Sequence, residues 1–229
     1  YWKFDEARGV GFDWSGNGTN ITFTGATATS SVSSTIGFYN PNAYLFNGTD
    51  QCAQSPSLNL SEVTNMTISF WLYWDAFDTD DDIAYEFSAN SNNNDNTFIA
   101  LPDDSSTGEF AVGNKGSTNQ SNLWTFPRPS AAAWHHYAVV NNFIADPSVV
   151  AVYVDGVSQT LTRYPGDPQT LTGSYGNFHL YFMSRNCASL FGPGRLDDFR
   201  IYNKQLSAAE VSELVAGRYA TTTAGTFTL

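Results

Sequence analysis

Across residues 66–74 apolar side chains fall on every second position. Met66, Ile68, Phe70, Leu72 and Trp74 alternate with Thr67, Ser69, Trp71 and Tyr73. A period of two is that of a strand whose successive side chains point to opposite faces, and the first set predicts a core-facing row. Shorter runs of the same kind predict strands at 43–47, 83–87, 97–101, 109–112, 136–141, 149–154 and 178–183. Residues 1–6 read as an opening strand with Trp2 and Phe4 on one face. Asp155-Gly156 signals a type I′ hairpin into a strand over 157–163. The separators SANSNNNDN and PDDSSTG are built from residues that tolerate left-handed backbone or cap themselves, so they read as loops.

Near the end the period changes. Residues 196–202 alternate as a strand, in which Asp197 would share a face with Phe199 and Ile201 while Asp198 points away. Ser207 and Glu210 then form a capping box, Val211, Leu214 and Val215 give a narrow apolar stripe, and Gly217 ends the helix. No repeat of 20–50 residues is visible. The expected fold is all-β, an antiparallel sandwich of about twelve strands or more with one short C-terminal helix. One domain spans residues 1–219, and 220–229 read as an edge strand or a linker.

Composition narrows the function classes. The hydrophobic fraction of 41%, with 15% aromatic residues, is ample for a core. Only 14% of residues are charged and the net charge is −12, which excludes a phosphate-binding surface and makes nucleic acid an unsuitable partner. No apolar run approaches the roughly 20 residues that span a bilayer, so membrane insertion is not expected. The chain lacks an initiator Met and a signal peptide, and reads as a mature fragment or a module of a larger protein. Cys52 and Cys187 both lie in polar loops beside strands. A disulfide in an oxidising compartment is the favoured reading, with two buried thiols the alternative. Sequons at Asn17, Asn20, Asn47, Asn59, Asn65 and Asn119 permit glycosylation in a eukaryotic secretory host.

Several segments, in order, carry a family resemblance: YWKFDEARG with DWSGNG, then TISFWLYW, WHHYAVV, VAVYVDG and the closing GRLDDFRIYNKQLSAAEV. Together they resemble laminin G-like modules of the concanavalin A-like lectin/glucanase superfamily, over nearly the whole chain. The resemblance implies a two-sheet jelly roll, an extracellular or cell-surface setting, a structural calcium and binding of glycans or of a glycosylated cell-surface protein.

Candidate sites follow from the residues and this resemblance. Asp13, Ser15, Asn17 and the adjoining glycines pack oxygen ligands into one tight turn, as calcium requires. The resemblance adds Asp197 and the Asp5–Glu6 end, giving Glu6, Asp13, Asn17 and Asp197 as the expected calcium set. The bland alternative is an Asx-turn, with Asp197 or Asp198 paired to Arg195 or Arg200. The acidic loop 75–82 is a second, weaker metal candidate, more simply a solvated loop. With the strands in jelly-roll order, Trp71, Tyr73, Tyr153, His179 and Tyr181 take the non-core parity and predict an aromatic sugar-stacking face, unless loops cover them as a second packed layer. Asn119, Trp124, Tyr164 and Arg185 are further loop candidates. His135 and His136 are adjacent on a strand, so they point to opposite faces and cannot chelate together. No glutamate stands in the paired pattern that retaining glycan hydrolysis uses, and no G-x-S-x-G elbow is present. The expected function is a non-catalytic carbohydrate-recognition module. The alternatives are a protein–protein adhesion module and, third, a divergent glycanase or lyase.

Overall fold

The structure is a computed structural model that describes residues 1–6, 10–24, 42–89, 96–117, 120–164, 166 and 170–217. The chain forms β1 (Val10–Gly11), β2 (Ile21–Thr24), β3 (Tyr44–Asn47), β4 (Cys52–Gln54), β5 (Leu58–Asn59) and β6 (Asn65–Trp74). Then come β7 (Tyr85–Ser88), β8 (Thr97–Leu101), β9 (Phe110–Lys115), β10 (Ser121–Phe126), β11 (Trp134–Asn142) and β12 (Val149–Val154). It closes with β13 (Val157–Ser158), β14 (Thr162–Arg163), β15 (Asn177–Phe182), β16 (Pro193–Tyr202) and the helix α1 (Ala208–Val215). Two antiparallel sheets face each other. One runs β1-β2-β4-β15-β7-β8-β9-β10-β14, with β5 also paired to β15, and the other runs β13-β12-β11-β6-β16-β3. This is a jelly-roll sandwich. The tail at 220–229, expected as an edge strand or linker, lies outside the described residues.

The core sits where the period-2 pattern placed it. Met66, Ile68, Phe70, Leu72 and Trp74 of β6 are all buried, facing Tyr85, Phe87, Phe98 and Phe182 of the other sheet. Phe199 stands at the centre, with ring centroids 4.9 Å from Phe182, 5.4 Å from Tyr85 and 5.6 Å from Phe70. Burying each such side chain contributes about 1.5–3 kcal/mol. Toward one end the interior turns polar. Asn114 Nδ2 donates to Asn141 Oδ1 at 2.9 Å and to Ser148 Oγ at 3.0 Å, while Tyr175 donates its hydroxyl to Asn114 Oδ1 at 2.8 Å. These bonds join the two sheets and satisfy buried groups that would otherwise each cost about 1–3 kcal/mol.

Cys52 and Cys187 are bonded, with Cα atoms 5.5 Å apart, tying β4 to the loop between β15 and β16. At the β12–β13 turn Asp155 and Gly156 both take positive φ, 52° and 79°, as a type I′ turn requires.

Three expectations change, and one strand was not visible as a pattern. Residues 1–6 are not a strand: Trp2 makes single bridges to Phe199 and Asp13, and Phe4 has φ 58°, which breaks the extended run although both rings are buried. The strand expected over 157–163 divides, because β13 pairs with β12 and β14 with β10 in the opposite sheet. β10 had no visible alternation because Asn122 and Thr125 are buried polar residues within it. Finally, β16 carries a bulge between Asp197 and Arg200, with Asp198 at φ 50°. The extra residue shifts the parity, so Asp197 registers with Trp71 on the outer face while Phe199 turns into the core.

Candidate functional site

The outer face of the six-stranded sheet holds a group of aromatic and charged side chains. Register fixes its rows. Trp134 of β11, Tyr73 of β6 and Arg195 of β16 lie side by side, and the next row is His136, Trp71 and Asp197. The Trp134 ring meets Tyr73 edge-on at 5.7 Å, and the Arg195 guanidinium lies 4.4 Å from the Tyr73 centroid. Arg195 also donates to Asp75 at 2.8 Å. Gly194 makes this approach possible: at φ 150°, a Cβ there would sit 2.2 Å from the Tyr73 carbonyl oxygen. Trp71, Tyr73, Trp134 and Arg195 all remain partly exposed.

In the next row the two residues flanking Trp71 are sealed. His136 is buried, its Nε2 lies 2.9 Å from Ser69 Oγ, and its ring meets Trp71 edge-on at 5.2 Å. Burial, with Arg200 adding, pushes His136 down to about 3, so it stays neutral at physiological pH. Burial, with the charges of Asp198 and Asp5 adding, pushes Asp197 up to about 9, so it stays protonated at pH 7. Beyond this row α1 covers the sheet. Val211 and Leu214 pack with Leu206 over Ala138, against Tyr153 and Tyr202.

The five aromatics expected on one sugar face are therefore divided. All five do take the outward parity, but Trp71, Tyr73 and Tyr153 belong to one sheet and His179 and Tyr181 to the other. Tyr153 lies against the helix. Tyr181 is 3% exposed, and His179 Nδ1 is 2.8 Å from the Ser55 carbonyl. Beside them Glu86 is buried and accepts from Ser88 at 2.7 Å and from Arg185 at 2.7 Å, which makes that outer face a packed polar layer. Trp71 and Tyr73 stay partly exposed on β6; Tyr153 and His179 are partly exposed too, but one lies against the helix and the other on the opposite sheet. Trp134 and Arg195 complete the group. Their signal lay in the flanks of two strong strands, but only cross-strand register brings them to Tyr73.

The expected calcium ligands are accounted for separately. Asp13 accepts from Ser15 N at 2.8 Å, Ser15 Oγ at 2.5 Å, Thr19 N at 3.1 Å and Thr19 Oγ1 at 2.7 Å, which closes an Asx-type turn. Those bonds with Ser15 and Thr19 hold its carboxyl well below the usual range despite partial burial. Asn17 donates to Ser15 Oγ at 3.0 Å, and Glu6 Oε1 accepts from Phe12 N and from Trp14 Nε1. Asp197 has Asp198, Asp5 and Arg200 as its charged neighbours instead. The oxygens of the Asp13 turn are thus committed to protein donors, and among the described residues no group of three or more His, Cys, Asp or Glu is placed to hold a metal ion. Glu6, Asp13 and Asp197 do not form such a group. In the acidic loop, Asp82 is pushed up to about 7 by desolvation and by the charges of Asp78, Asp103, Asp80 and Asp81.

Comparison with known sequences places residues 47–212, more than half the chain, within the laminin G-type model of the concanavalin A-like lectin/glucanases superfamily. The chain belongs to this superfamily. Among curated proteins the sequence finds no match. Three solved structures illustrate what this jelly roll is similar to. The binding domain of Paraclostridial Mosquitocidal Protein 1 matches with TM-score 0.63 and 18% identity, over 91% of this chain and 51% of that one. The binding domain of botulinum neurotoxin serotype G gives 0.62 and 16%, over 94% and 50%. A structure of botulinum neurotoxin type C, whose cell entry depends on two ganglioside molecules, gives 0.60 and 13%, over 95% and 53%. Identities this low show the shared fold alone, and this chain spans about half the length of each of those chains. Among the described residues no helix is long and apolar enough to cross a membrane.

Proposed function

We propose that this chain is an extracellular, non-catalytic recognition module that binds carbohydrate on the outer face of its six-stranded sheet. The carrying observation is the partly exposed group Trp71, Tyr73, Trp134 and Arg195, fixed by the Arg195 contacts to Tyr73 and Asp75. Aromatic faces stack on the apolar faces of sugar rings, and a guanidinium donates to hydroxyls from the side. Membership of a lectin/glucanase superfamily and a fold shared with toxin receptor-binding domains support the reading. The net charge of −12 favours neutral glycans over acidic ones. Asp75, the carboxylate beside this group, is tied to Arg195, which supports binding rather than acid–base chemistry.

A broad glycan array tests this. Neutral glycans should bind the intact chain, and Tyr73→Ala should weaken them about tenfold or more, since losing a stacked ring costs of order 1–2 kcal/mol. A blank array from a folded chain would sink the carbohydrate reading and favour a protein partner at the same face.

A further inference from the structure

A second aromatic group lies elsewhere, on the edge strand β1 and the turn that follows it. Val10, Phe12 and Trp14 take alternate positions and are 38%, 51% and 56% exposed, whereas Gly11 between the first two is buried. Exposed side chains normally sample several rotamers, but Trp14 is held. Its Nε1 donates to Glu6 Oε1 at 3.0 Å, and the same oxygen accepts Phe12 N at 3.2 Å. The Lys3 ammonium lies 3.9 Å from the indole centroid. The backbone beneath is fixed as well, since Trp14 N donates to the Tyr1 carbonyl and Asp13 N to Asn20 Oδ1. Two further features mark the spot as incomplete. Glu6 Oε2 is buried and has no donor among the described residues, the usual sign of a missing water or ligand group. And an apolar ridge in water is kept rigid by three polar contacts, the preorganisation that lowers the entropic cost of binding.

We infer that the Phe12–Trp14 ridge is a second carbohydrate-binding site, taking one neutral pyranose ring on the indole. The ring would stack its apolar face on Trp14, with its hydroxyl rim within reach of Glu6 and Lys3. Three side chains form a patch far smaller than the about 800 Å² per partner of a stable protein interface, which argues for a sugar rather than a protein or a second copy. The site shares no residue with the Tyr73 group, so either can fail while the other stands.

The test follows the indole N–H resonance of Trp14, identified by its loss in Trp14→Phe, during titration with methyl glycosides of glucose, galactose, mannose and N-acetylglucosamine. At least one glycoside should shift the resonance saturably, and the shift should persist in Tyr73→Ala. Saturation transfer to that glycoside in the Tyr73→Ala background should disappear on adding Trp14→Ala, with the melting temperature unchanged. The inference is overturned if no glycoside moves the resonance of the folded chain, or if Tyr73→Ala abolishes the shift. It is also overturned if the resonance moves with protein concentration alone, which would report self-association.

Discussion

At the scale of single residues, Asp197 shows most directly how burial becomes a measurable property. Its carboxyl is 1% exposed, and in the native chain it keeps its proton up to about pH 9, against 3.8 for the ordinary group. Between those values the native state binds the extra proton, so stability falls as pH rises through the window and levels off above about pH 9. Asp82 contributes with the same sign, but only up to about 7, and His136 contributes with the opposite sign, only below its ordinary 6.5. Around pH 8 the Tyr1 amino group, which burial holds below its ordinary 8.0, contributes with the opposite sign and equally in both proteins. From about pH 8 to 9 the melting temperature of the parent chain should therefore fall relative to that of Asp197→Asn, which keeps the shape and cannot ionise. An equal drop in both proteins would place the charge elsewhere. The sequence showed two adjacent carboxylates on a strand but not that one is sealed, because the sealing residues come from other elements.

Among the elements, β6 and α1 were readable because their information is local. Ten residues of strict alternation define β6, and the helix start is written in Ser207 and Glu210. The structure contains both halves of that box, with Ser207 N donating to Glu210 Oε2 at 2.8 Å and Glu210 N to Ser207 Oγ at 3.3 Å. Ser207→Ala should cost about 1 kcal/mol in urea unfolding, the usual worth of such a cap. A neutral result would mean that packing on Ala138 and Tyr153 alone holds the helix. The short strands were not readable. β4 has three residues, too few to display a period, and β10 interrupts its own pattern with Asn122 and Thr125. The candidate site lies between these cases. Parity puts Trp71, Tyr73 and Tyr153 on the outer face of one sheet, but His179 and Tyr181 on that of the other, because parity says which face a side chain takes and not in which sheet.

For the whole molecule, the disulfide is the largest single restraint. It joins residues separated by 135 positions and encloses most of both sheets. Closing a loop of that length removes enough unfolded-state entropy that the Cys52→Ser, Cys187→Ser pair should lose about 2–5 kcal/mol, read as a lower midpoint in guanidinium unfolding. An unchanged midpoint would show that the unfolded chain is already compact there. The spacing of the cysteines could not reveal the pairing, since it depends on β4 and β15 being neighbours.

The bulge at Asp198 has a consequence of a different kind. A strand is read two residues at a time, and the single extra residue works as a frameshift: downstream positions are translated in the other frame, which puts Phe199 and Ile201 inside and Arg200 and Tyr202 outside. Substitution by Gly or Asn at Asp198 preserves the frame, because both accept positive φ. Deleting that one residue preserves it too, because Phe199 would then stand opposite Phe70 and Arg200 would keep its place beside Ser69. A deletion past the bulge, at Arg200, would not: it would turn Ile201 outward and Tyr202 toward the core, so β16 tolerates a change in length at the bulge and not beyond it.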